Sequence, residues 1–104
     1  MNIPWNTPLT KQPRLILEDA GYHEFVDPRT YKVSYVMRVG QAFYPRYHVY
    51  INVEAEASGE FSLHVDQKHT SYEGQTAHAG EYNGSLVSEE AARLQRWLVY
   101  YTQR

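Results

Sequence analysis

Three stretches of the chain alternate strictly between apolar and polar residues. "YKVSYVMRV" (31–39) sets Tyr31, Val33, Tyr35, Met37 and Val39 on one side, and "YPRYHVYINVEA" (44–55) does the same with Tyr47, Val49, Ile51 and Val53. "FSLHVDQK" (61–68) follows with Phe61, Leu63 and Val65. Period-two alternation is the mark of a strand buried on one face. The links "GQAFYP" and "EASGE" are short and hold Gly40, Pro45 and Gly59. Short links between consecutive strands predict an antiparallel meander.

Helical spacing appears twice. Thr10 is placed to cap a short helix over 11–20, with Pro13 in its first turn, Leu15, Ile16, Leu17 and Ala20 inside it, and Gly21 closing it. Near the other end Val87, Ala91, Leu94, Leu98 and Tyr101 form one helical stripe with Trp97 beside it. Ser88 is the expected N-cap, Glu89 and Glu90 suit the positive end of the dipole, and Arg96 and Arg104 lie toward the negative end. The expected fold is therefore α+β, in the order helix, three-stranded antiparallel meander, helix, with both helices on one face. One domain spans 1–104. Residues 1–9 read as an extended lead-in pinned by Trp5 and Leu9, and 69–87 read as a long loop with a tight turn at Asn83-Gly84.

If the second hairpin pairs Val53 with Phe61, the polar faces align automatically. Arg46 then opposes Lys68, His48 opposes Asp66, Tyr50 opposes His64, and Asn52 opposes Ser62; a shift of two residues keeps the faces but changes the partners. Lys32, Ser34 and Arg38 join the same face. Two chemistries follow. Arg38, Arg46, His48, Tyr50, His64, Asp66 and Lys68, with His78 and Glu81 from the loop, could cradle an anion, Tyr50 stacking a base or sugar. Alternatively His48, His64, Asp66 and His78 are a ligand set for a divalent metal, which would support a hydrolase. "DQK" also matches the acidic-x-Lys half of a magnesium-nuclease motif, without a well-placed second acidic strand residue. A Ser/His/Asp nucleophile is set aside, because Ser71 lacks a glycine-flanked elbow and Ser62 sits mid-strand. The plain alternative is a solvated sheet face, where such residues are ordinary.

Composition narrows the field modestly. There are no cysteines, so disulfides and thiolate chemistry are excluded. The net charge of −2 and the lack of a dense basic tract do not favour nucleic acid as the partner. No apolar run approaches a membrane span and the start "MNIPWNTPLTKQPR" has no leader-like apolar stretch, so the expectation is a cytoplasmic protein. Ten tyrosines suit either a core or an interface, and a monomer and a homodimer both fit.

The order helix, three strands, helix resembles the double-stranded-RNA-binding domain. That family grips phosphate with a lysine cluster at the start of its second helix; here the turn is "SEEAAR", whose Glu89 and Glu90 would repel RNA. A second resemblance rests on "AGY", "YPRYHVY", "LHVDQK" and "SYEGQTAHAGEYNGSLVSEEAARL". In these blocks the chain resembles an uncharacterised family of short bacterial proteins from small-genome candidate phyla. The resemblance implies a standalone cytoplasmic protein and no particular activity. The sequence as a whole points to a binding module for an anionic ligand, with the metal-dependent hydrolase as its alternative.

Overall fold

The computed structural model describes residues 1–67 and 79–102, the side chains of 79–83 excepted. The fold is α+β, but its sheet has five strands: β1 (Asn2–Trp5), β2 (His23–Val26), β3 (Val33–Arg38), β4 (Arg46–Ala55) and β5 (Ser58–Asp66). They lie in the order β1-β5-β4-β3-β2, all neighbours antiparallel. Helix α1 (Pro13–Asp19) falls between β1 and β2, and α2 (Ala79–Tyr100) ends the fold. A three-stranded meander opened by a helix is thus corrected to a β-α-β-β-β-β-α chain.

The meander itself is present as β3, β4 and β5, and a short edge strand flanks it on either side. The lead-in is one of them. Ile3 and Trp5 enter the core while Pro4, which cannot donate to a ladder, sits on an edge strand, where that costs little. Leu9 is tied down by a bridge to Thr102. β2 is the other. Its "HEFV" is short, and its polar residues suit an edge strand whose residues stay largely exposed. The hairpin to β3 turns on Asp27, whose side chain accepts from the Arg29 amide at 2.8 Å, and Tyr31 takes a left-handed φ of 60°. Tyr31 and Val33 consequently lie exposed beside the turn, while Tyr35 is buried.

The β4–β5 register is shifted two residues from the expected one: Ile51 opposes Phe61, Val49 opposes Leu63, and Tyr47 opposes Val65. The cause is Gly59. Instead of making the turn it lies inside β5 opposite Val53, where a Cβ would meet the Asn52 carbonyl and the Trp5 ring, each at 2.6 Å. A glycine there lets the Trp5 ring approach the backbone. The turn is pushed back to Glu56 and Ala57, with a bulge between Val53 and Ala55.

One hydrophobic cluster fills the space between sheet and helices. Tyr35, Tyr47, Val49, Phe61, Leu63 and Val65 from the strands meet Ile16 and Leu17 of α1 and Leu94 and Leu98 of α2. The expected stripe of the last helix is realised, with Val87, Ala91, Trp97 and Tyr101 packed against that cluster. Its expected start is not. α2 already begins at Ala79, so Asn83-Gly84 is helical and Ser88 is not a cap; its Oγ donates back to the Gly84 carbonyl at 3.0 Å. Leu86 and Val87 pack against the core cluster ahead of Ser88, and one Asn and one Gly cost a helix only modestly. In α1 the cap position falls at Gln12, not Thr10, and Pro13 opens the helix; Gly21 follows with φ 108°. The supposed loop is shortened accordingly, and its order between 68 and 78 lies outside the described residues. No helix among the described residues is long and apolar enough to cross a membrane.

Candidate functional site

Alternation sends the remaining strand residues to the sheet face opposite the core, and the register arranges them in rows. Arg38, Arg46 and Asp66 stand side by side across β3, β4 and β5. The next row holds His23, Val36, His48 and His64, and the one after it pairs Phe25 with Ser34 and Tyr50 with Ser62. The faces read from the sequence therefore hold, while the directly opposed pairs change. His48 meets Asp66 along a diagonal, and its opposite neighbour is His64.

His48 bonds in both directions across these rows. Its Nδ1 lies 2.7 Å from Asp66 Oδ2 and its Nε2 2.7 Å from Ser34 Oγ. Burial works to raise the Asp66 pKa, but the hydrogen bond from His48 and the charges of His48 and Arg46 together hold it below the usual carboxylate value. An ionised Asp66 can only accept, so His48 carries its proton on Nδ1 and, when neutral, accepts the Ser34 hydroxyl proton on Nε2. Tyr50 stacks on the imidazole at 4.9 Å and Phe25 meets it edge-on at 6.4 Å.

Ser34, His48 and Asp66 thus make the contacts of a hydrolytic triad, a set the sequence reading sought at Ser62 and Ser71. The surroundings are wrong for catalysis. Ser34 is only 2% exposed and lies within a strand, so its hydroxyl cannot meet a substrate carbonyl. The relay ties three strands together and orients Asp66. Asp66 in turn accepts from Arg46 Nε at 3.3 Å.

The metal reading needs His48 to give up one of those bonds. Both its ring nitrogens are engaged, and among the described residues no group of three or more His, Asp or Glu side chains is placed to hold a metal ion. His64 stays exposed nearby, 6.2 Å from the Tyr50 ring. Partial burial, the amino-terminal ammonium and His48 all lower its pKa, so it favours the neutral form. His78 and Lys68 lie outside the described residues; Glu81 falls in α2, with its side chain undescribed.

The residues that stand out instead are cationic. Arg46 is flanked by three rings, its guanidinium carbon 5.0 Å from the centroids of Phe25 and Phe43 and 5.3 Å from that of Tyr44. Arg38 lies 5.3 Å from the same Phe43 ring and donates to the Gln41 carbonyl at 3.3 Å. Beside them opens a cavity of about 490 Å³ lined by His23, Val36, Met37, Arg38, Phe43 and Arg46, with no carboxylate among these residues. His23 and Phe43 were not read as site residues. His23 comes with the missed strand β2, and Phe43 sat in what looked like a plain link; the aromatic residues next to Arg46 were the available signal. Lys32, 6.0 Å from the Tyr50 ring, adds a cation farther along the face.

No family model, no curated protein and no solved structure matches the chain.

Proposed function

We propose that this chain is a binding module that receives an anionic ligand on its polar sheet face, between Arg38 and Arg46. One observation carries the reading. The two arginines are directly opposed in register and stack on one Phe43 ring at the mouth of the same cavity. Like charges facing each other across two strands are unfavourable, by a fraction of a kcal/mol up to about 1 kcal/mol. Asp66 offsets Arg46, but among the described residues Arg38 has no carboxylate partner. A bound anion supplies the missing charge, and guanidinium forks suit carboxylate and phosphate oxygens. The Ser34–His48–Asp66 relay positions Arg46 for that task.

Inorganic phosphate is the simplest probe. Amide shifts should move on β3, β4 and the 39–45 link, with binding that weakens as salt rises. Arg38→Ala should abolish the shifts while leaving the melting temperature within a few degrees of the parent. Shifts that survive this substitution, or that map to α2, overturn the reading.

A further inference from the structure

We infer that the natural ligand of this cavity is a small phosphate monoester with an apolar, ring-sized body, an inference that rests on the anion-binding reading above. Size is the first argument. A volume of about 490 Å³ falls within the roughly 300–1,000 Å³ of sites that hold one small molecule. A bare inorganic anion would leave most of that space unused.

The lining is divided in the way such a ligand requires. His23, Arg38 and Arg46 offer nitrogen donors, while Val36, Met37 and Phe43 offer an apolar wall. Two guanidiniums and an imidazole exceed the need of a carboxylate, which has a single charge and two oxygens. A phosphate monoester carries about −1.5 to −2 charges near pH 7 and three strong acceptor oxygens, which matches the donor set. The apolar wall then has the esterified group to cover.

A phosphate polymer fits less well. Among the described residues the cations do not form a continuous track: Lys32 stands apart near Tyr50, Glu24 follows His23 on β2, Asp66 stands beside Arg46 on β5, and Asp27 begins the β2–β3 turn. The whole chain is net negative. Nucleic-acid binding draws its affinity from many phosphates met in sequence, and this face offers one locus.

The test compares four probes by calorimetry and amide-shift titration on the intact chain: inorganic phosphate, phenyl phosphate, benzoate and a short single-stranded oligonucleotide. Phenyl phosphate should bind about tenfold or more tighter than inorganic phosphate and than benzoate, because the ring adds apolar burial. Its shifts should include His23, Val36 and Phe43. Val36→Ser should erase most of the advantage of phenyl phosphate while sparing inorganic phosphate, and Arg38→Ala should weaken both. Equal affinity for phosphate and phenyl phosphate at this cavity overturns the monoester inference and leaves the anion reading standing. An oligonucleotide binding more tightly, with shifts running beyond the cavity, replaces the monoester by a nucleic-acid partner. If none of the anions shifts these residues, both readings fall together.

Discussion

Two carboxylates in this fold each bind an arginine and a ring-bearing donor, yet the charges are matched in one cluster and left in excess in the other. Glu90, 4% exposed under α2, accepts the Tyr22 hydroxyl at 2.6 Å and Nε and Nη2 of Arg93, each at 2.8 Å. Arg93 also donates from Nη2 to the Ala20 carbonyl at 2.8 Å, satisfying the end of α1. Burial and the adjacent carboxylate push the Tyr22 phenol well above its ordinary range, so it remains a donor. Although the Arg93 side chain is partly exposed, its charge is matched by the bidentate contact with Glu90. On the opposite face Asp66 accepts from His48 and Arg46, but Arg46 stands against Arg38, which has no carboxylate partner among the described residues. Similar groups serve cohesion when their charges close on themselves; charge left over is what the proposed anion would neutralise.

The comparison breaks most readily at Arg93. Arg93→Ala leaves Glu90 buried without its charge partner, and such a loss typically costs about 3–5 kcal/mol. The open cluster should respond less. Asp66→Asn keeps the shape and loses the charge of a partly buried pair with Arg46 and His48, at a cost on the order of 1–2 kcal/mol. Urea unfolding of the two variants measures the difference directly. If Asp66→Asn proves the more damaging, the polar face is a structural network and its role in binding has to be abandoned.

The unequal legibility of the two clusters has a physical cause. The open face was readable because alternation fixes which side each residue takes, independently of register. Arg38, Arg46, His48, Tyr50, His64 and Asp66 all share that face, as expected. Their partners were not readable, since Gly59 acts through a contact with Trp5 from a strand that looked like a lead-in. Glu90 was read as complementing the helix dipole near a cap at Ser88. That assignment fails because α2 starts nine residues earlier and because Tyr22, 68 positions away, reaches it. Long-range polar pairing leaves no periodic trace. Neither did β2, whose four residues are too few to show a period.

A middle-sized effect is expected at Ser34. Ser34→Ala removes the partner of His48 Nε2 in a site that excludes most water, and stranding that group should cost roughly 1–2 kcal/mol. If the relay positions Arg46, phosphate binding should weaken as well, although Ser34 is not among the residues that line the cavity. Ser34→Thr, which keeps the hydroxyl, should restore binding to the extent that its methyl is accommodated. Loss of stability with phosphate affinity unchanged would confine the relay to holding strands together.

The smallest effect is the dependence of stability on pH, and it separates the histidine of the open face from its carboxylate. The His64 pKa is lowered in the folded protein, so the unfolded chain takes up that proton first as the solution is acidified. Its contribution is complete above the unfolded value, near 6.5, and declines as pH falls from there through the lower folded value. Asp66 is also lowered, which for a carboxylate means stability that is present above the unfolded value, near 3.9, and lost as pH falls through the folded one. A urea-midpoint profile should therefore slope gently as pH falls below about 6.5 and again below about pH 4. His64→Asn should flatten the first slope and leave the second. Asp66→Asn should reduce the second, to which Asp19 and Asp27 also contribute, and, by removing a nearby negative charge, lower the His64 pKa further and extend the first. A first slope that persists in His64→Asn assigns that proton to another group on the molecule and removes His64 from the electrostatics of this face.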